Sequence, residues 1–418
     1  MIMNMPKSMK IAPMMVAAGF ALFFSAQQVI AAESNSPSPF SLLKNKKFKE
    51  LDSFLQAKQH SYEAGHLSPD ALYEQFNFAT GNESWLEAQL STWVKSASTS
   101  YVAHLARGRY YVSRAWEARG DKYIDKTPPE NIREMSRLNK LATLDLEKSI
   151  SLTEKPMLSY SLLINVGMAT GRSKQSRHWL EEANRIDPDS TYIKIDYLLT
   201  LRPRWGGSME EMQAFVDESK NLLKKQEDIN LLQSHVWRSH AFVRWKDHKD
   251  YQGCIDYYTK AIDLYDKEVR PFARRGYCYQ MLKRYEEALR DYNHVISIAP
   301  RNGYVLKSRG ALFSKLRRFD EAIVDLIRAT EIDPSDGYTW RTLGYTYYST
   351  EKFDKAFASY QKGAARGDAD SQQSLGFHYR FGKGVKEDRD KAIYWWKMAA
   401  KNGNAQAIHS LQLEGVLP

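Results

Sequence analysis

Residues 269–302, VRPFARRGYCYQMLKRYEEALRDYNHVISIAPRN, and residues 303–336, GYVLKSRGALFSKLRRFDEAIVDLIRATEIDPSD, follow one template. Small and aromatic residues return at a step of 34 positions, and the same step continues on both sides of these segments. The recurring positions are Cys254, Ala288, Ala322 and Ala356; Trp245, Tyr279, Phe313 and Tyr347; and Gly276, Gly310 and Gly344. A fixed period of this length is typical of a stacked array of small structural units.

The recurring positions are those at which two packed helices come closest. Glycine and alanine allow close approach, aromatic residues fill the space between helices, and Pro300 and Pro334 end the second helix of a unit. The pattern resembles the tetratricopeptide repeat. The four units begin near His235, Val269, Gly303 and Gly337.

The spacing changes to 36 positions from Ala364 onward, as in the pair Ala364 and Ala400. Residues 375–400 resemble a Sel1-like repeat, which is carried by Leu375-Gly376, Gly382-Lys383-Gly384-Val385 and Trp395-Trp396. A second unit starts at Ala400 and is short, so we expect it to act as the cap that such arrays need.

The N-terminal half is also helical in pattern, because apolar residues recur at helical spacing and no segment alternates like a strand. Ser208 with Glu211, and Thr127 with Glu130, predict capping boxes at two helix starts. Several short motifs resemble a bacterial domain of unknown function that often precedes tetratricopeptide units, and this resemblance implies no activity. The motifs are Ser100-Tyr101, Ala106-Arg107-Gly108, Tyr110-Tyr111, Ala118-Arg119-Gly120 and the loop 203–208. The predicted fold is therefore all-α, a right-handed α-solenoid of helix-turn-helix repeats preceded by a helical N-terminal domain.

The first residues have the composition of a secretory signal peptide. Lys7 and Lys10 precede an apolar run at 11–24, and Ala31 and Ala32 offer a cleavage site. The run is shorter than the ~20 apolar residues of a spanning helix. We expect an exported protein, periplasmic or secreted, without a membrane span after cleavage.

The domain boundaries follow from these patterns. The expected segments are a signal peptide at 1–32, a linker at 33–41, a helical domain at 42–223 with a repeat-like stretch at 156–190, tetratricopeptide repeats at 235–363 and Sel1-like repeats at 364–418. The two cysteines, Cys254 and Cys278, fall in neighbouring repeats. They can pair in an oxidising compartment, or Cys254 can serve only as the small packing residue of its unit.

Charge and motif content exclude several classes of function. The formal charge is +10, and loss of Lys7 and Lys10 leaves +8, spread along the chain without a Lys/Arg run. This argues against a nucleic-acid partner and mildly favours acidic ones. No His or Cys spacing suits a metal, and no phosphate-binding or nucleophile motif occurs, so we expect no cofactor, no metal and no catalytic residue.

The first helices of successive tetratricopeptide units are expected to line a groove. Projection of the sequence onto that geometry gives candidate partner-binding residues that are mainly basic or tyrosine, and such a groove suits a peptide or protein with acidic groups. The alternative is an ordinary solvated helix face. The candidates are Lys246, Arg270, Tyr277, Gln280, Tyr304, Lys307, Lys315, Arg341, Tyr345 and Tyr348.

A second group of candidates lies in the N-terminal half, where His104, Arg107 and Arg114 belong to a helix rich in aromatic and basic residues. One interpretation is a surface that recognises an anionic group. The other is a structural network, in which arginines pair with Glu117, Asp121 or Asp125 and the aromatic residues form core. The loop residues Arg202, Arg204 and Trp205 allow the same two interpretations.

The leading hypothesis is an exported, non-catalytic protein–protein interaction module or scaffold that binds a peptide or protein in the repeat groove. The alternatives are an enzyme, such as a hydrolase, in the N-terminal domain, and a binder of cell-envelope glycan. The sequence predicts neither the partner nor the oligomeric state.

Overall fold

A computed structural model describes residues 38–120, 127–170 and 173–417, and every regular element in these ranges is a helix. This confirms the predicted all-α fold. The predicted signal peptide lies outside the described residues, and so do residues 33–37 of the predicted linker. Within the described ranges no helix has the length and apolar character needed to cross a membrane. The chain divides into two compact units between Ser239 and His240.

The first unit contains ten helices ahead of α11 in its described residues. They are α1 (Pro39–Lys44), α2 (Phe48–Glu63), α3 (Pro69–Glu74), α4 (Leu86–Ser96), α5 (Tyr101–Arg119), α6 (Pro129–Ile150), α7 (Met157–Ala169), α8 (Ser173–Ile186), α9 (Thr191–Thr200) and α10 (Met209–Ser219), with short 3-10 helices at Asn77–Thr80 and Pro203–Trp205. The boundary between the units falls inside α11 (Gln226–Lys246).

Two predicted helix starts have different outcomes. The capping box at α10 is confirmed, since Glu211 N donates to Ser208 Oγ at 3.1 Å and Ser208 N donates to Glu211 Oε2 at 3.0 Å. The capping box at Thr127 is wrong. Helix α6 begins at Pro129 with Pro128 as N-cap and without a side-chain cap, so Thr127 stands one residue too early.

Helices α5 and α7 form the centre of the first unit. Helix α5 packs along α6, where a Cβ on Gly108 would come within 2.7 Å of Leu146 Cδ2, so a larger residue would push the two helices apart. Every residue of α7 is buried, because α5, α6, α8 and α9 all contact it. A helix that is apolar all round is typical of a position inside a core.

The second unit continues as pairs of antiparallel helices. They are α12 (Tyr251–Leu264), α13 (Val269–Met281), α14 (Tyr285–Ile298), α15 (Gly303–Lys315), α16 (Phe319–Ile332), α17 (Gly337–Ser349), α18 (Phe353–Ala364), α19 (Ala369–Arg380), α20 (Arg389–Lys401) and α21 (Ala405–Leu413). The recurring glycines lie at the closest approach within a pair. A Cβ on Gly276 would meet Tyr292 at 2.8 Å, and one on Gly344 would meet Tyr360 at 2.8 Å.

The turn inside each unit contains a residue in the left-handed backbone region. Lys249, Lys283, Arg317 and Glu351 have φ values of 57°, 62°, 61° and 57° and are spaced 34 positions apart. Glycine is the residue that usually occupies this conformation at the end of a helix. These turns therefore adopt the left-handed conformation without glycine, so the sequence does not predict them.

Cys254 and Cys278 form a disulfide that joins α12 to α13, with an S–S distance of 2.06 Å. Both side chains are buried among Ala241, Ile255 and Tyr258. Cys254 therefore fills the small packing position of its unit and also cross-links two helices.

Candidate functional site

The first helices of the repeat units form a common surface, because α13 contacts α15, α15 contacts α17 and α17 contacts α19. We call this the first-helix surface, and it includes the end of α11 at Trp245 and Lys246. The ten candidate residues of the predicted groove all lie on these helices. Their surroundings differ from one residue to the next.

Two of the predicted basic residues are neutralised within the chain. Lys307 Nζ on α15 lies 2.8 Å from an Oδ2 of Asp336, which caps α17. Arg341 on α17 lies 3.5 Å from Asp368, which caps α19, and also contacts Asp370. Each pair joins one first helix to the start of the next. A charge reversal at Lys307 or Arg341 would therefore disturb the stacking of the units as well as any partner.

Two further candidates have partly structural contacts. Gln280 Oε1 accepts a hydrogen bond from the hydroxyl of Tyr292 at 3.1 Å. The ring of Tyr348 packs 5.4 Å from Phe353 and 6.0 Å from Phe377. Tyr345, in contrast, keeps 55% of its surface exposed and is available to a partner.

The remaining candidates lie on either side of this region. The Nζ of Lys315, an exposed residue, is 5.0 Å from the ring of Tyr285. Lys246 Nζ is 5.9 Å from the ring of Trp245, and Arg270 is partly buried. These basic groups border an aromatic cluster on α11, α13 and α15.

The cluster is formed by Trp245, Arg274, Tyr277 and Tyr304, and we call it the Arg274 cluster. The guanidinium carbon of Arg274 lies 5.1 Å from the ring centre of Trp245 and 5.1 Å from that of Tyr304. The ring centres of Trp245 and Tyr277 are 5.7 Å apart. Burial, together with nearby Tyr251 and Tyr304, raises the pKa of Tyr277, so its hydroxyl stays neutral.

Arg274 differs in its partners from Arg275, Arg309 and Arg341, which pair with carboxylates. Its contacts are with aromatic rings, and among the described residues it has no carboxylate partner. Cation–π contacts hold a guanidinium in place without neutralising its charge. Arg274 was not among the candidates from the sequence, because its position in the unit lies beside the projected groove positions.

Beneath this surface, two buried ion pairs repeat with the period of the array. Arg275 donates to both carboxylate oxygens of Asp291 at 2.9 and 2.8 Å and to Thr259 at 3.0 Å. Arg309 makes the same contacts one unit later, with Asp325 and with Asn293. The sequence signal for these pairs was an arginine and an aspartate 16 positions apart, repeated after 34 positions.

In the first unit, His104 and Arg107 belong to a structural network. Arg107 donates to both oxygens of Asp145 at 2.7 and 2.8 Å, and His104 Nδ1 lies 2.9 Å from the same carboxylate. Burial acts to raise the pKa of Asp145, but the hydrogen bonds from His104 and Arg107 outweigh it and leave that pKa below its usual value. Asp145 is therefore a satisfied carboxylate and a poor general base.

Arg114 lies apart from that network and pairs with Glu117 on the same helix. Both line a cleft of about 330 Å³ that also contains a second ion pair, Arg137 with Glu134. The cleft is lined by Glu87, Tyr110, Arg114, Glu117, Ala118, Glu134, Arg137 and Leu138. In the described parts of the chain, no group of three or more His, Cys, Asp or Glu side chains could hold a metal ion.

Comparison with family models identifies three kinds of segment. Residues 269–302 and 308–336 match the tetratricopeptide repeat, and residues 249–266 and 369–404 match the Sel1 repeat. Residues 40–175 and 170–238 match a domain of unknown function, DUF4034. The resemblance predicted from the sequence is confirmed. The chain carries tetratricopeptide and Sel1 repeats behind a domain of unknown function, and such repeats support a role as a protein–protein interaction scaffold.

No curated protein matches the chain. Similar solved structures include MamA 41-end from Desulfovibrio magneticus RS-1, with 18% identity, 40% of this chain and 94% of that chain covered, and a TM-score of 0.37. A Sel1 repeat protein from Oxalobacter formigenes has 24% identity, coverage of 49% and 88%, and a TM-score of 0.36. YrrB, described as a TPR protein with an unusual peptide-binding site, has 18% identity, coverage of 49% and 100%, and a TM-score of 0.38.

Proposed function

We propose that this protein is an exported, non-catalytic scaffold that binds a peptide or protein with carboxylate groups on the first-helix surface. The observation that carries the proposal is the Arg274 cluster. Its guanidinium is held over two aromatic rings, and no acidic side chain among the described residues neutralises it. An incoming carboxylate would supply the missing partner.

Aromatic side chains give this surface contact area at a low cost in conformational entropy. Tyr277 and Tyr304 are partly buried and held by neighbours, so little of their freedom remains to be lost on binding. Lys246 adds positive charge at the edge, which would increase the rate of encounter with an acidic partner. The paired residues Lys307 and Arg341 have a secondary role in this proposal, because their charge is already balanced.

Export is supported by two features of the chain. The first residues have the composition of a signal peptide, and the two cysteines form a buried disulfide. Disulfides persist in oxidising compartments and are rare in the cytosol. We propose the periplasm or the extracellular space as the site of action, with residues 42–223 as a separate helical domain ahead of repeats at 235–363 and 364–418.

The proposal of a non-catalytic role agrees with the surroundings of the candidate groups. His104 and Arg107 are engaged with Asp145, and Arg114 is paired with Glu117. A general base needs an available proton acceptor beside a substrate-sized space. The Asp145 carboxylate is occupied by two donors, so it does not meet this requirement.

The test is binding of a fluorescently labelled oligoglutamate peptide to the full mature protein. Arg274→Gln removes the charge at the cluster, and Arg290→Gln removes one exposed charge on the second helix of the same unit as a control. We expect Arg274→Gln to weaken binding by about tenfold, equivalent to about 1.4 kcal/mol. Equal affinity of the two variants would refute the assignment to this surface.

A further inference from the structure

Arg119, in the first unit, also contacts aromatic rings and has no acidic partner among the described residues. Arg119 is the last residue of α5 and is 8% exposed. Its guanidinium carbon lies 5.2 Å from the ring centre of Trp116 and 4.8 Å from that of Trp205. The centres of the two indole rings are 5.5 Å apart, and their planes are inclined by 67°.

The hydrogen-bonding groups of Arg119 are not used within the described chain. Its Nε is sealed from solvent and has no acceptor, and no described residue accepts a hydrogen bond from the guanidinium or forms an ion pair with it. Other arginines of α5 donate to acceptors, although the Nε of Arg109 is also buried without one. Arg107 binds Asp145, and Arg109 donates to Asn77 Oδ1 at 2.7 Å and to the carbonyl oxygen of Tyr73.

Arg119 lies at the C-terminus of α5, and this position partly stabilises its positive charge. The C-terminus of a helix carries partial negative charge and favours a cation. The nearby carbonyls of Trp116 and Glu117, however, accept from the N–H of Gly120. Arginine stays protonated even when buried, so a buried guanidinium without an acceptor carries a desolvation penalty that a bound anion would remove.

The indole of Trp205 adds a second unused donor at the same place, because its Nε1 is also sealed and has no acceptor. Trp205 belongs to the short 3-10 helix Pro203–Trp205, far from α5 in sequence. The fold thus brings together a guanidinium and an indole N–H, both of which donate. Among the described residues, no carboxylate accepts a hydrogen bond from Arg119 Nε or Trp205 Nε1.

We propose that Arg119 and Trp205 form a binding site for one oxyanion group, a carboxylate or a phosphate, in the N-terminal helical unit. The Nε and terminal amino groups of arginine form a planar fork that binds two oxygens of such a group at once. The neighbouring indole rings exclude water, which strengthens charge-assisted hydrogen bonds. This site is independent of the first-helix surface.

The test is the thermal unfolding midpoint of the full mature protein in sodium phosphate, sodium acetate and sodium chloride at equal ionic strength. Binding to the folded state raises the midpoint in a saturable way. We expect phosphate or acetate to raise the unfolding midpoint relative to chloride. The anion that acts at the lower concentration shows whether the site prefers a phosphate or a carboxylate group. Phosphate also stabilises proteins without a specific site, so only an effect that depends on Arg119 counts.

Three variants separate the possible results. Arg119→Gln should abolish the saturable rise, and Arg114→Gln, on the same helix but paired with Glu117, should retain it. Trp205→Phe keeps an aromatic ring but removes the N–H together with part of the indole, so it should require several-fold more anion for the same rise. It also keeps the test valid if Arg119→Gln does not fold. An equal rise in all proteins, or no rise above chloride in the unsubstituted protein, overturns the proposal.

Discussion

Arg309 binds both carboxylate oxygens of Asp325, at 2.6 and 2.8 Å, between the two helices of the third repeat unit. Asp325 is 2% exposed, so the pair is largely removed from water. The fourth unit has Leu343 and Ser359 at the equivalent positions, 34 residues later. The chain itself therefore shows that an uncharged pair can occupy this place.

Removal of one member of the Arg309–Asp325 pair should greatly lower the free energy of unfolding, and removal of both members should lower it much less. Asp325→Ser leaves a largely buried guanidinium without its partner, and we expect a loss of about 3–5 kcal/mol in the free energy of unfolding. The double variant Arg309→Leu with Asp325→Ser copies the fourth unit and should recover most of this loss. Urea unfolding measures both values. Strictly additive losses would contradict this account.

Glycine at the left-handed turns should stabilise the repeats. Lys283 and Arg317 have φ values of 62° and 61°, a region in which a residue with a Cβ is strained. We expect Lys283→Gly and Arg317→Gly each to raise the free energy of unfolding by up to about 1 kcal/mol. Arg290→Gly, within an exposed helix, should lower it by about 1 kcal/mol. Urea unfolding of the three variants is the measurement, and destabilisation by all three would refute the argument.

Asp196 should make the first unit less stable as the pH rises. Burial raises the pKa of its carboxyl to about 7, although Ser161 Oγ donates to it at 2.5 Å. Because the unfolded value is 3.8, the folded state binds the proton more tightly. The stabilising effect of Asp196 is complete below the pKa of the unfolded state and is lost as the pH rises through the pKa of the folded state. Each unit of difference corresponds to about 1.4 kcal/mol.

The Asp196→Asn variant tests that dependence, because asparagine can still accept from Ser161 and does not titrate. We expect its stability relative to the unsubstituted protein to increase between about pH 5 and about pH 8. Urea unfolding at both values gives the comparison. Parallel changes in the two proteins would show that Asp196 does not titrate in this range.

Reduction of the disulfide should destabilise the second unit. Cys254 and Cys278 are 24 positions apart, and closure of a loop of this size contributes about 3 kcal/mol. A reductant should therefore lower the unfolding midpoint of the unsubstituted protein. Cys254→Ala places at this position the residue found in the other units, so the variant should be insensitive to reductant. Equal sensitivity of both proteins would refute the role of the disulfide.

Much of the repeat architecture could be predicted from the sequence, because period and packing are linked. The recurring Gly276 and Gly344 lie where a Cβ would collide with an aromatic ring, as the template required. The turns at Lys283 and Arg317 gave no signal, since surrounding contacts impose their backbone conformation without glycine. The prediction of a capping box at Thr127 failed for a local reason, because the two prolines after it move the helix start by one position.

The candidate site was less predictable, because partners across the fold decide what each side chain can do. Projection onto a helix selected Lys307 as a groove residue, but it could not reveal the ion pair with Asp336, 29 positions away. It also passed over Arg274, whose availability depends on rings contributed by two other helices. Single-helix periodicity carries no information about such contacts.

Helix α7 has a consequence for the order in which the protein takes shape during synthesis. All thirteen of its residues, Met157–Ala169, are buried, and part of the surface that covers them comes from α8 and α9. A nascent chain that has only reached α7 exposes a mainly apolar segment. The N-terminal unit can therefore complete its folding only after residue 200 has left the ribosome, and until then this segment is the natural target for a chaperone.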